Sequence, residues 1–145
     1  MQETKILIIE DNPGWRDILF EALESDQYAV ESAASTEAGM EALKKPNIKL
    51  VIMDLNLIDA EEMNRDGLKL LSFIGIYNPC ARAIVLTAHS RHLREAFRAS
   101  YGVFDYLLKQ EFDRETFLRI VKSAIEEAYL CESGKTERPV YPESF

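Results

Sequence analysis

No apolar run in this chain approaches the roughly 20 residues that a membrane-spanning helix needs. The first residues, Met1 to Lys5, contain no apolar signal-peptide segment. These two absences lead to the expectation of a cytoplasmic protein with no membrane partner. There is no basic excess either. Seventeen Lys and Arg stand against 25 Asp and Glu, a formal net charge of -8, which argues against direct nucleic-acid binding through a broad basic face. Cysteine is scarce. Cys80 and Cys131 lie in unrelated segments and are expected to be cytosolic thiols rather than a disulfide, and neither has neighbours that suggest metal ligation or nucleophilic chemistry. Internal repeats and low-complexity segments are absent. What is left is 47% hydrophobic and 29% charged residues over 145 positions, the profile of one globular domain with a substantial core.

Short apolar runs punctuate the chain: Ile6–Ile9, Leu50–Met53, Ala83–Leu86 and Tyr106–Leu108. They are too uniformly apolar to have one wet face, so they read as strands covered on both sides. Tyr28–Ala33 reads as a further, weaker strand. Helical patterns separate them. Asn12-Pro13 is a helix start, with Asn as cap and Pro at the first helical position. Further helices are expected over Thr36–Lys44, stopped by Pro46, then over Asp66–Ile76 and Ser90–Ala99. The last helix is the clearest: Phe117, Ile120, Val121, Ala124, Ile125, Ala128 and Tyr129 recur at helical spacing behind Asp113 as N-cap. Five alternations of strand and helix imply an α/β three-layer, doubly wound domain. Its parallel five-stranded sheet is expected in the order 2-1-3-4-5, with five helices. The domain is expected to span residues 1–131, and 132–145 to form a mobile polar tail too short to be an output domain.

The strand ends carry the chemistry. The first strand runs into Glu10-Asp11, the third into Asp54, the fourth into Thr87 and the fifth into Lys109. In an open parallel sheet the ligand site lies outside the carboxyl ends of the strands, so these distant residues would share one crevice. Three carboxylates, a hydroxyl and an ammonium can hold a divalent cation and a phosphoryl group. Taken singly, each has a blander explanation: a cap, a turn residue, a solvated lysine, a β-branched strand residue.

In this order the set resembles the receiver domain of bacterial two-component response regulators, over roughly Lys5 to Leu130. Glu10-Asp11 are similar to that family's paired metal-binding acids, and Asp54, in Val-Ile-Met-Asp-Leu-Asn, to its phosphoacceptor. Thr87 resembles its phosphoryl-bonding hydroxyl residue, and Lys109 its fifth-strand lysine. The resemblance implies Mg²⁺ as cofactor, with Mn²⁺ as a substitute. Asp11 and Asp54 would bind the metal directly, Glu10 through a water, and the main-chain carbonyl of Asn56 would complete the protein ligands. It implies an aspartyl phosphate formed on Asp54 from a sensor histidine kinase or phosphotransfer protein. The domain would thus not be an enzyme beyond its own phosphorylation and dephosphorylation. It implies a switch in which Thr87 moves toward the phosphoryl group and Tyr106 fills the space behind it. The signal would be a changed face of helix four, strand five and helix five, read by a downstream protein or by a second copy of the chain in a homodimer.

Three departures from the pattern stand out. Gln110 follows Lys109 where the family has a cis-proline, and a trans Lys109–Gln110 bond or a strained loop is expected. The loop 57–65 is long and acidic, with Asp59, Glu61 and Glu62 beside the pocket. The third is the expectation that no output domain follows. Gln110 and the acidic loop keep a second reading open, a pseudo-receiver acting as a protein-interaction module without phosphorylation. A haloacid-dehalogenase-type phosphatase is disfavoured because Asn56, not aspartate, lies two residues past Asp54. A flavodoxin is disfavoured by the acidic turn Glu10–Gly14, which has no run of phosphate-cradling donors. Trp15 is expected at the pocket rim, and His89, two past Thr87, beside it. The basic helix of Arg91, His92, Arg94 and Arg98 is more economically a solvated face than a docking site.

Overall fold

The apolar runs form a parallel sheet. The structure, a computed structural model, describes residues 3–24, 28–54, 60–88 and 100–143. Its strands are β1 (Lys5–Ile9), β2 (Ala29–Ala33), β3 (Ile48–Met53), β4 (Arg82–Thr87) and β5 (Asp105–Leu108), in the order β2-β1-β3-β4-β5. Every residue of β3 and β4 is buried, which is why these strands show no polar alternation. The period-two pleat still divides their side chains between two cores. Ile6, Ile8, Leu50, Ile52, Ile84 and Leu86 pack on one face with Leu19, Leu23, Phe117 and Val121. Leu7, Ile9, Val51, Met53, Ala83 and Val85 pack on the other with Leu43, Leu71 and Ile74.

Those covering residues come from helices α1 (Pro13–Glu24) and α4 (Arg114–Glu132) on the first face, and α2 (Thr36–Leu43) and α3 (Ala60–Tyr77) on the second. Capping sets the helix starts. The Asn12 side chain accepts from Trp15 N–H (3.0 Å), Ser35 from Ala38 N–H (3.1 Å), and Asp113 from Thr116 N–H (3.0 Å). The doubly wound fold is as expected, with four α-helices among the described residues. The helix expected over 90–99, together with Asn56 and His89, lies outside them. Helix α3 begins at Ala60 rather than at the expected Asp66, so the loop expected over 57–65 is largely helical. Ala60-Glu-Glu-Met is a run of strong helix formers with no glycine before Gly67, and it extends the helix backward.

Two expectations are corrected at the amino ends of the strands. Cys80 and Cys131 form a disulfide, with Cα atoms 5.6 Å apart, instead of remaining separate thiols. The topology brings the turn before β4 against the end of α4, a proximity that a separation of 51 residues conceals. The described residues 133–143 form a packed strap rather than the mobile tail expected over 132–145. Tyr141 is buried in the α3-side core, and its hydroxyl donates to Ala81 O at 2.6 Å. Arg82 donates to the Glu137 carbonyl (3.3 Å), and Ser72 to that of Glu143 (2.9 Å). Gly102, at φ 77°, lets the strap pass, because a Cβ there would lie 2.8 Å from Val140 O. Tyr141 anchors this otherwise polar segment in the core, and Arg82 and Ser72 tie its backbone on either side. Tyr141→Phe, which leaves Ala81 O unsatisfied in the core, should lower stability by about 1 kcal/mol in urea unfolding.

Candidate functional site

Register decides which residues meet. Ile9 pairs with Met53, Met53 with Val85, and Thr87 with Leu108. The residues just beyond these pairs, Glu10, Asp54 and Lys109, therefore emerge at one edge of the sheet with Thr87, the last residue of β4. Glu10, Asp11 and Asp54 each offer a carboxylate oxygen, and these oxygens lie within 4.8 Å of one another. Lys109 Nζ bridges two of them, 2.8 Å from Glu10 Oε1 and 3.1 Å from Asp54 Oδ2. Thr87 and Tyr106 are both fully buried beside this edge, Tyr106 with its ring inward in the core.

Asp11 is exposed and Glu10 is only 3% exposed, so the acidic pair is split between water and core. Burial, reinforced by the nearby Asp54 charge and only partly offset by the Lys109 hydrogen bond, pushes the Glu10 carboxyl up to about 7. Burial alone would lower the Lys109 ammonium. Its hydrogen bonds to Glu10 and Asp54 and their charges outweigh that and hold it above its ordinary value.

Two neighbours from the start of α1 complete the site, and of these only Arg16 was missed by the sequence reading. Arg16 donates to the main-chain oxygens of Glu10 (2.8 Å) and Asp11 (3.2 Å), fixing the turn that carries the acids. Trp15, placed at the pocket rim by the sequence reading, lies with its ring centroid 5.2 Å from Lys109 Nζ. No cis peptide bond occurs among the described residues. Lys109–Gln110 is therefore trans, and Lys109–Glu111 forms a 3₁₀ turn closed by Phe112 N–H onto Lys109 O (3.2 Å).

Sequence comparison bears on this arrangement directly. Residues 6–122 match the family described as the response regulator receiver domain. The chain belongs to that family. Among curated relatives, the receiver aligns with the transcriptional regulatory protein GlrR of Escherichia coli K12 at 31% identity over 123 residues, covering 85% of the chain and 26% of the relative. It aligns with ZraR of Klebsiella oxytoca at 29% identity, covering 95% of the chain and 30% of the relative. The chain thus spans about a quarter to a third of the length of these relatives. A CheY-like receiver domain from Methanospirillum hungatei superposes with a TM-score of 0.74 at 23% identity, over 88% of this chain and 98% of that one. A receiver domain from Clostridium thermocellum superposes with a TM-score of 0.73 at 25% identity and the same coverage. The family's general function is that of a phosphorylation switch in two-component signalling.

The donor set suits a hard divalent cation: all oxygen, negatively charged, and partly open to water at Asp11. A cation there must displace the Glu10 proton wherever Glu10 is protonated. Apparent Mg²⁺ affinity should therefore rise about tenfold between roughly pH 6 and pH 8 and level off above, as read by calorimetric titration. Without metal the sign is opposite. The Glu10 carboxyl is raised from 4.5 to about 7, so its contribution to stability is present below about pH 4.5 and is lost as pH rises through about 7.

Proposed function

We propose that this receiver takes a phosphoryl group onto Asp54 from the phosphohistidine of a sensor kinase or phosphotransfer protein. The observation that carries this is the Lys109 ammonium, 2.8 Å from Glu10 and 3.1 Å from Asp54, at the strand edge where Asp11 also lies. An Asp54 carboxylate oxygen attacks phosphorus. The new P–O bond forms as the P–N bond to the donor imidazole breaks, and the nitrogen keeps the electron pair. A divalent cation held by Glu10, Asp11 and Asp54, with the main-chain carbonyl of Asn56, would neutralise charge on the phosphoryl oxygens. Lys109 turns from the Asp54 carboxylate to a phosphoryl oxygen, trading one charge-assisted hydrogen bond for another. Thr87 rotates its hydroxyl toward the same group. The inward packing of Tyr106 is the arrangement this favours, and the surface of β5 and α4 is the output face. The domain acts only on itself. No helix among the described residues is long and apolar enough to cross a membrane.

The test is the intact mass after incubation with Mg²⁺ and acetyl phosphate. Gain of one phosphoryl group supports the reading. No gain, repeated with a panel of phosphorylated histidine kinases, returns the chain to the pseudo-receiver alternative.

A further inference from the structure

The lysine is followed by Gln110 through a trans bond, and its ammonium sits at the end of a flexible four-carbon stem. The two carboxylates it bonds do not define its place by themselves. Asp54 changes charge and geometry when it is modified, and Glu10 is one of the three acids that would hold a cation. A third contact does not change: the face of Trp15, whose ring centroid is 5.2 Å from Lys109 Nζ.

That ring is built in. The Trp15 N–H bonds the Asn12 side chain in the first turn of α1, which sets where the residue leaves the helix. The indole meets Phe112 edge to face, with centroids 5.5 Å apart and planes at 83°. Phe112 leans on Phe117 at 5.3 Å, and Phe117 is buried in the α4-side core. Three aromatic rings therefore run from the core to the ammonium, and Phe112 directly follows the 3₁₀ turn that carries Lys109. A tryptophan face attracts a cation through its quadrupole, most strongly when both are partly shielded from water. The attraction is broad in angle. It keeps the ammonium within reach of Asp54 while letting it swing to a new oxygen.

We propose that Trp15 is a positioning residue whose indole face holds the Lys109 ammonium at Asp54 for phosphoryl transfer. This rests on the receiver reading above. The competing explanation is plain packing at the start of α1, in which case ring shape matters and ring electrons do not.

Trp15 is the chain's single tryptophan, so biosynthetic replacement by fluorotryptophans alters this ring alone. Fluorination drains the face of negative charge and changes its shape little. The experiment follows transfer from acetyl phosphate to Asp54, in which a P–O bond forms to the carboxylate and acetate leaves. The full chain is used with saturating Mg²⁺, carrying tryptophan, 5-fluorotryptophan or 5,6,7-trifluorotryptophan. The limiting rate should fall stepwise with fluorine count, by roughly fivefold at the trifluoro ring. Mg²⁺ affinity and melting temperature should stay level. Trp15→Leu should be slow and Trp15→Phe should recover most of the rate. In the unsubstituted protein the Lys109 ε-methylene protons should show an upfield ring-current shift. A flat fluorine series with normal transfer overturns the positioning role and leaves the receiver reading standing. Absence of transfer in the unsubstituted protein, from acetyl phosphate and from the panel of phosphorylated histidine kinases alike, with the ring-current shift present, overturns the phosphoacceptor reading and the role together.

Discussion

Asp54→Asn will take no phosphoryl group from acetyl phosphate under conditions in which the wild type gains one. The amide nitrogen and oxygen keep the side chain's size and can still meet Lys109, but the amide has no anionic oxygen to attack phosphorus. The substitution also removes a negative charge that helps to raise the Glu10 carboxyl, so that carboxyl should titrate lower. Folding should be intact, because Lys109 retains its 2.8 Å bond to Glu10. A folded, unphosphorylated variant thus assigns the loss to chemistry. Lys109→Met, in the same assay, should slow transfer by two to three orders of magnitude, about 3–4 kcal/mol of barrier, in line with the loss of one preorganised charge from a transfer site. Phosphorylated Asp54→Asn would mean that another residue is the acceptor.

Breaking the Cys80–Cys131 disulfide, by reductant or by Cys131→Ser, should lower unfolding free energy by about 4 kcal/mol, the loop-closure entropy for a separation of 51 residues. The melting temperature of a domain this size would fall by roughly 10 °C. The effect should be confined to stability. The bridge lies at the amino end of β4, a strand length of about 15 Å from Thr87 at the other end, so phosphoryl transfer in the reduced protein should match that of the oxidised one. Urea unfolding with and without dithiothreitol, beside non-reducing mass measurement, checks both statements. Identical unfolding curves with a mass two hydrogens higher would show that the thiols stay reduced.

The two corrections and the aromatic contact over Lys109 share one cause. Strands that are buried on both faces are largely apolar, and the first polar residue at the carboxyl end of each apolar run marks the edge of the sheet. Glu10, Asp54, Thr87 and Lys109 are legible for that reason, and their convergence follows from the handedness and order of parallel crossovers. Helix starts at Asn12, Ser35 and Asp113 are legible in the same local way, because each cap bonds a backbone N–H three residues on. Proximity across the fold has no such local mark. Cys80 and Cys131 look unrelated until β4 and α4 are packed. Tyr141 looks like part of a polar tail until Gly75 and Gly102 leave room for its passage. Trp15 and Phe112 are ordinary aromatics until α1 and the turn after β5 bring them together over Lys109. The start of α3 at Ala60 was misread for a different reason, since helix formers such as Ala-Glu-Glu-Met are equally at home on a charged loop.

By itself, then, the sequence determined the layered α/β architecture, the sheet order and the residues delivered to its carboxyl edge. Each of these depends on burial periodicity and on side chains within a few positions of one another. The tertiary structure alone decided the cysteine pairing, the closure of the strap by Tyr141, the partial burial that lifts Glu10 to about 7, and the contact of the rim tryptophan with Lys109. Those depend on contacts between residues many positions apart, where desolvation and packing act only after the helices have closed on the sheet.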